Sequence, residues 1–150
     1  MASFRFRLQA LLGLREFTRD QRRVELAEAL DVQRQLADQR LEVQRKISTV
    51  RNQVRAATGP GRVSLYTLRD AGRYENGLRA ELADIIPQEL AAEQCVAERQ
   101  QLLAEAEGEV RVLEKLRARQ LENFTREQDR RDVKQMDEVA ARGERTGGFD

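Results

Sequence analysis

Thr58-Gly59-Pro60-Gly61 is the clear break in a chain of 150 residues that otherwise reads as helix. Before it, Leu36, Val43, Ile47, Val50, Val54 and Ala57 recur at steps of three, four or seven. After it, Ala92, Val96, Leu103, Ala106, Val110 and Leu113 do the same. That spacing is the a/d seam of a coiled coil, written twice. Gly59 suits a left-handed helix cap, and Pro60 cannot continue a helix. The pattern predicts an all-α fold: a long antiparallel two-helix coiled-coil hairpin with an overhanging C-terminal helix. Such a hairpin encloses no cleft, so its function must lie in its surface and in what it docks into.

Boundaries follow from caps and breakers. Ser3 can cap a first helix over about 4–57, with Arg5 and Phe6 inside it and Gly13 as its weak point. Such a helix would span roughly 80 Å. The turn takes 58–63. Ser64 can cap a second helix over about 64–142, opened by Leu65, Tyr66 and Leu68. Pro87 costs about 3 kcal/mol in a helix interior, which predicts a kink over 84–87; a full break into 64–85 and 88–142 is the alternative. Gly143 and Gly147-Gly148 end the helix and leave 143–150 as a disordered tail. The whole hairpin, 4–142, reads as a single domain. A turn centred on Gly59-Pro60-Gly61 sets Gly13 level with Gly108, where two glycines would let backbones approach. It also sets residue 117 level with residue 4, so that 118–142 overhangs. The overhang carries Leu121, Phe124, Val133, Met136 and Val139. A lone helix with an apolar stripe wants a partner, either another protein or a second copy.

Composition agrees. Charged residues are 35% and aromatics 5%, with no Trp and two Pro. A thin Leu/Val/Ala seam can cement helices but cannot fill a globular interior. Formal net charge is +1, which does not call for nucleic acid. Residues 1–58 hold 12 Lys/Arg against 7 Asp/Glu, and the rest hold 15 against 19. These oppositely charged halves favour folding back. The lone Cys95 permits no internal disulfide, fits a reducing compartment and is expected as a small buried side chain near the seam. Ala10-Leu11-Leu12, bracketed by Arg5, Arg7 and Arg15, is too short for a signal or membrane segment. A cytoplasmic protein without membrane insertion is expected.

The chain has no His, the commonest general base and metal ligand. One Cys cannot build a thiolate zinc site. Gly59-Pro60-Gly61-Arg62-Val63-Ser64 lacks the phosphate-loop pattern and its Lys. The 26 carboxylates alternate with Arg and Lys at helical spacings, as in Glu42 with Lys46. No catalytic, cofactor or metal site is therefore expected, and no enzyme activity.

Several stretches together resemble the flagellar export protein FliJ family. Phe4-Arg5-Phe6-Arg7-Leu8-Gln9-Ala10-Leu11-Leu12-Gly13-Leu14-Arg15 is similar to the family's Phe-x-Phe-x-Leu opening followed by Leu-Leu and a basic residue. Gly59 through Tyr74 and Leu78 to Ile85 resembles its turn and second-helix start. Leu113-Glu114-Lys115-Leu116-Arg117 and Lys134-Gln135-Met136-Asp137-Glu138-Val139-Ala140 resemble its C-terminal part. The resemblance covers residues 4–142. It implies a cytoplasmic component of the flagellar type III export apparatus, peripherally associated with the cytoplasmic face of the inner membrane. The implied fold is a two-helix coiled coil like the central stalk subunit of rotary ATPases. The implied partners are the hexameric export ATPase FliI, the export gate protein FlhA and export chaperones.

Carried over by position, the resemblance assigns the gate contact to Tyr74, Leu78, Glu81 and Ile85. Packing against Val43, Ile47 and Val50 is the other reading of that stripe, and Glu81 departs from its apolar character. The resemblance assigns the ATPase-ring contact to Phe4, Phe6, Leu8, Arg117, Arg119, Phe124, Arg126, Arg130, Arg131 and Met136. Ordinary solvated helix is the other reading of those arginines. Rival functions are a homo-oligomeric coiled-coil scaffold, an RNA-binding helical arm, and a stalk of a rotary ATPase proper. The turn argues against the first. The second lacks a basic stripe with interleaved aromatics. The third is usually longer.

Overall fold

The computed structural model describes residues 2–59, 61 and 64–147. Two helices account for nearly all of them: α1, Gln9–Ala57, of 49 residues, and α2, Leu65–Thr146, of 82. No strand occurs among the described residues. The helices pack against each other as the all-α helical hairpin that the doubled seam predicts.

The connection is only partly described, because Pro60, Arg62 and Val63 lie outside the described residues. At the end of α1 the Thr58 amide donates to the Val54 carbonyl at 3.0 Å, and the Thr58 hydroxyl to the Arg55 carbonyl at 3.1 Å. These bonds satisfy last-turn carbonyls without a left-handed residue. No described glycine has a positive φ, so the left-handed cap expected at Gly59 is not formed. Ser64 does cap α2: its carbonyl accepts from the Leu68 amide at 3.2 Å, and its hydroxyl lies 3.5 Å from the Thr67 amide.

The N-terminus departs from the sequence reading. Residues 2–6 are not helical, Arg7 and Leu8 form a turn, and α1 begins only at Gln9, not near residue 4 under a Ser3 cap. The Gln9 amide donates to the Phe6 carbonyl at 3.2 Å. Phe4, Phe6 and Leu8 all reach one apolar cluster, which a helix would have spread around its circumference.

At the other end α2 runs past Gly143 to Thr146, so the helix takes in residues 143–146 of the expected tail. Residues 148–150 of that tail lie outside the described residues. Pro87 stands inside α2, which is one helix and not two. Pro87 and Ala83 are both exposed, so water can satisfy the Ala83 carbonyl that loses its amide partner. Gln88 Nε2 adds a bond to the Asp84 carbonyl at 3.2 Å. Pro87→Ala is expected to stabilise the chain by about 2 kcal/mol. That figure is the cost of an interior proline less the stiffness it lends the unfolded state. A urea titration reads it as a higher midpoint at unchanged slope.

The contacts divide into two compact units. One comprises residues 20–104. Its seam buries Val43, Ile47, Val50, Leu78 and Ile85, with Val54, Ala71 and Leu82 packed against them. Leu36, Ala92 and Val96 are also buried, whereas Ala57, at the end of α1, is exposed. Cys95 is half-buried at the seam's edge, less enclosed than expected.

The other unit joins residues 1–19 with 105–150. It buries Phe6, Leu12, Val110 and Leu113, with Phe4, Leu8 and Leu116 packed around them. Val110, at 2% exposure, is the least exposed core residue among the described residues. A seam one side chain thick offers nothing deeper. Gly13 and Gly108 both belong to this unit. A Cβ at either would meet nothing within 4 Å, so the expected close backbone approach is absent.

Candidate partner-binding surfaces

With the apolar side chains spent on the seam, the flanks and the unpaired helix face carry what can meet a partner. The flanks are laced by Arg–Glu pairs. In the unit of residues 20–104, Arg40 Nε lies 2.8 Å from Glu89, Arg51 Nε 2.8 Å from Glu75, and Arg99 Nη1 3.1 Å from Glu25. In the other unit, Arg15 lies 3.0 Å from Glu109. Three of these four pairs join a first-half arginine to a second-half glutamate, the direction that the charge imbalance between the halves predicts. In each pair the α2 member sits at least three residues further along α2 than a turn centred on Gly59-Pro60-Gly61 would place it.

Two carboxyls are held below the ordinary value of 4.5. For Glu25 the main cause is the hydrogen bond from Arg22, with Arg99 adding to it. For Glu75 it is the hydrogen bond from Arg51, then that from Arg79. A carboxyl whose pKa is lowered by folding adds stability above its unfolded pKa and loses it as pH falls through the folded one. Urea midpoints should therefore stay level between about pH 8 and pH 6. They should drop on acidification below 4.5, and Glu75→Gln should shrink that drop.

The four residues assigned to the gate contact do not share one environment. Leu78 is 4% exposed and packs with Val43, Ile47 and Val50, as does Ile85. Tyr74 is 53% exposed, and Glu81 is exposed as well. Glu81 and Asp84 of α2 face Asp38, Glu42 and Lys46 of α1 across a groove whose apolar wall is Val43 and Ile85. This flank carries four carboxylates against Lys46 and Arg45, the latter paired with Glu42. Its opposite flank carries Arg51, Arg55 and Arg79. Arg51 and Arg55 lie on one side of the Val43–Ile47–Val50 stripe of α1 by helical periodicity, and Asp38, Glu42 and Lys46 on the other.

The residues assigned to the ring contact all lie in the unit of residues 1–19 and 105–150. Phe6 is buried, and Phe4 and Leu8 are half-buried. Phe4 covers Phe124, with ring centroids 5.7 Å apart and planes inclined at 53°. Arg117, Arg119, Arg126, Arg130 and Arg131 are exposed. Arg126 pairs with Glu122 one turn away, an ordinary surface contact. Beyond Phe124, Val133, Met136 and Val139 are exposed, Met136 at 74%. The sequence reading missed the two-sided charge of the 20–104 unit. The signal for it was present in the Arg and Glu residues that flank the seam positions.

Among the described residues no group of three or more His, Cys, Asp or Glu could hold a metal ion. No described helix is long and apolar enough to cross a membrane. No curated protein and no solved structure matches the chain. The flagellar FliJ protein family matches residues 4–147, and the chain therefore belongs to that family, a component of the flagellar export apparatus.

Proposed function

We propose that this chain serves the export apparatus as a central stalk of the export ATPase FliI. Its C-terminal α2 end and its N-terminal segment insert in the hexameric ring and promote ring assembly and activity. The flank of Tyr74 and Glu81 links the ring to the gate protein FlhA, and the chain handles export chaperones on the cytoplasmic face of the inner membrane. Family membership supports the setting. One observation carries the stalk reading. α2 continues through residues 125–146 with Val133, Met136 and Val139 exposed, a helix whose apolar side chains have no cover within its own unit. A single asymmetric helix cannot meet six ring subunits alike, so it biases their nucleotide states unequally. That is how differential contact becomes regulation.

The test is the hydrolysis rate of the organism's export ATPase with the full chain and with a chain ending at Arg117. Stimulation by the first and loss of it with the second is the expected result. Equal rates with both, under conditions where the ring forms, would overturn the proposal. Mass by light scattering separates the rival. A stable homo-oligomer that does not stimulate the ATPase would favour a structural coiled-coil scaffold.

A further inference from the structure

Opposite the acidic flank of the 20–104 unit, α1 and α2 frame a second groove of about 500 Å³. Ile47 and Leu82 give it an apolar floor, and Arg51, Arg55, Arg79 and Asn52 line it. Glu75, beside it, organises the cations: one of its oxygens, Oε1, accepts from Arg51 Nε at 2.8 Å and from Arg79 Nη2 at 2.9 Å. Both guanidiniums are thereby fixed, yet their side chains remain 52% and 55% exposed. Each guanidinium has five donors and spends one on Glu75. Arg55 makes no ion pair among the described residues. Three arginines against one carboxylate leave the groove cationic, with pre-oriented donors and an apolar floor.

We propose that this groove docks an acidic amphipathic segment of a second protein, one that sets carboxylates on either side of an apolar side chain. Charge complementarity selects the sign of the partner. The planar guanidinium fork matches a carboxylate with two parallel bonds. Fixing Arg51 and Arg79 beforehand lowers the ordering cost of association. The apolar floor favours a peptide over a nucleic acid. The groove has no aromatic ring on which a base could stack. The site lies on the flank away from Tyr74 and Glu81, so it is distinct from the proposed gate contact and does not depend on it. A hairpin with an acidic and a basic flank at neighbouring levels can hold two partners of opposite charge at once.

The probe is a fluorescein-labelled helical peptide of Leu and Glu at amphipathic spacing, titrated with the full-length chain and read by anisotropy. A second peptide with Gln in place of every Glu is the control. Arg55→Glu tests the site, since Arg55 holds no contact that the fold needs, and circular dichroism checks that the helices persist. Arg145→Glu makes the same charge change at the far end of α2. The expected result is salt-sensitive binding of the Glu peptide that Arg55→Glu weakens about tenfold and Arg145→Glu leaves unchanged. Amide-exchange protection should appear over 44–55 and 75–82. Equal weakening by both variants, or equal binding of the Gln peptide, would overturn the proposal. So would Arg55-dependent binding of phosphatidylglycerol vesicles or polyuridylate without binding of the peptide. None of these readouts involves the ATPase, so failure of the stalk reading leaves them intact.

Discussion

Leu78→Ala is expected to lower the free energy of unfolding by about 3 kcal/mol, the middle of the range for a large aliphatic cut back in a core. Tyr74→Ala, one turn earlier on the same face of α2, is expected to change it by less than about 0.5 kcal/mol. The difference lies in what each side chain touches. Leu78 packs among Val43, Ile47, Val50 and Ile85, and a seam one side chain thick has no second layer to close over the hole. Tyr74 stands largely in water. Urea titrations of the two variants against the unaltered chain check the prediction. A Leu78→Ala midpoint near that of the unaltered chain would show that the seam collapses around the deletion. The contrast also governs how the gate proposal is tested. A Leu78→Ala or Ile85→Ala chain that loses its gate partner has lost fold as well as surface, so neither assigns a contact. Tyr74→Ala and Glu81→Lys leave the seam whole, and loss of binding there reports the surface itself.

The hairpin was legible because one signal repeats. Val43, Ile47 and Val50, and then Val96, Ala106, Val110 and Leu113, hold helical spacing on both sides of a Gly-Pro-Gly break, and all are buried. Pro87 was legible as a disturbance but not as to outcome. Its fate depends on whether the orphaned Ala83 carbonyl faces water, which is a property of the packed pair and not of the local sequence. The register was misjudged: partners across the seam lie further along α2 than a count from Gly59-Pro60-Gly61 gives. The charged flanks were visible as residues but not as sides: which arginine shares a level with which glutamate follows only from the packing of α1 on α2. The assigned gate residues show the same limit. Helical spacing puts Tyr74, Leu78, Glu81 and Ile85 in one stripe, while the seam takes Leu78 and Ile85 and leaves Tyr74 and Glu81 at its edge.

Phe6→Ala is the second large expected effect, a loss of about 3 kcal/mol. Its size depends on the departure of residues 2–8 from helix. Phe4, Phe6 and Leu8 alternate in sequence, which is the period of extended chain. The helix-forming composition around them masked that signal. In a helix, alanine would recover up to about 0.5 kcal/mol over phenylalanine through propensity. In the non-helical segment nothing offsets the lost contact with Leu12, Val110 and Leu113. Phe4→Ala should cost less, about 1 kcal/mol, because the Phe4–Phe124 contact is half-exposed. Amide exchange gives a second readout. Undocking of the segment should raise exchange at Gln9 and Leu12, whose amides bond to the Phe6 and Leu8 carbonyls, before the 20–104 unit is affected. If Phe6→Ala leaves both the urea midpoint and those two amides unchanged, the segment does not hold α2 and the seam begins at Leu12. If both respond, the N-terminal phenylalanines clamp α2 just before its exposed stretch, and they support any partner contact made by residues 125–146.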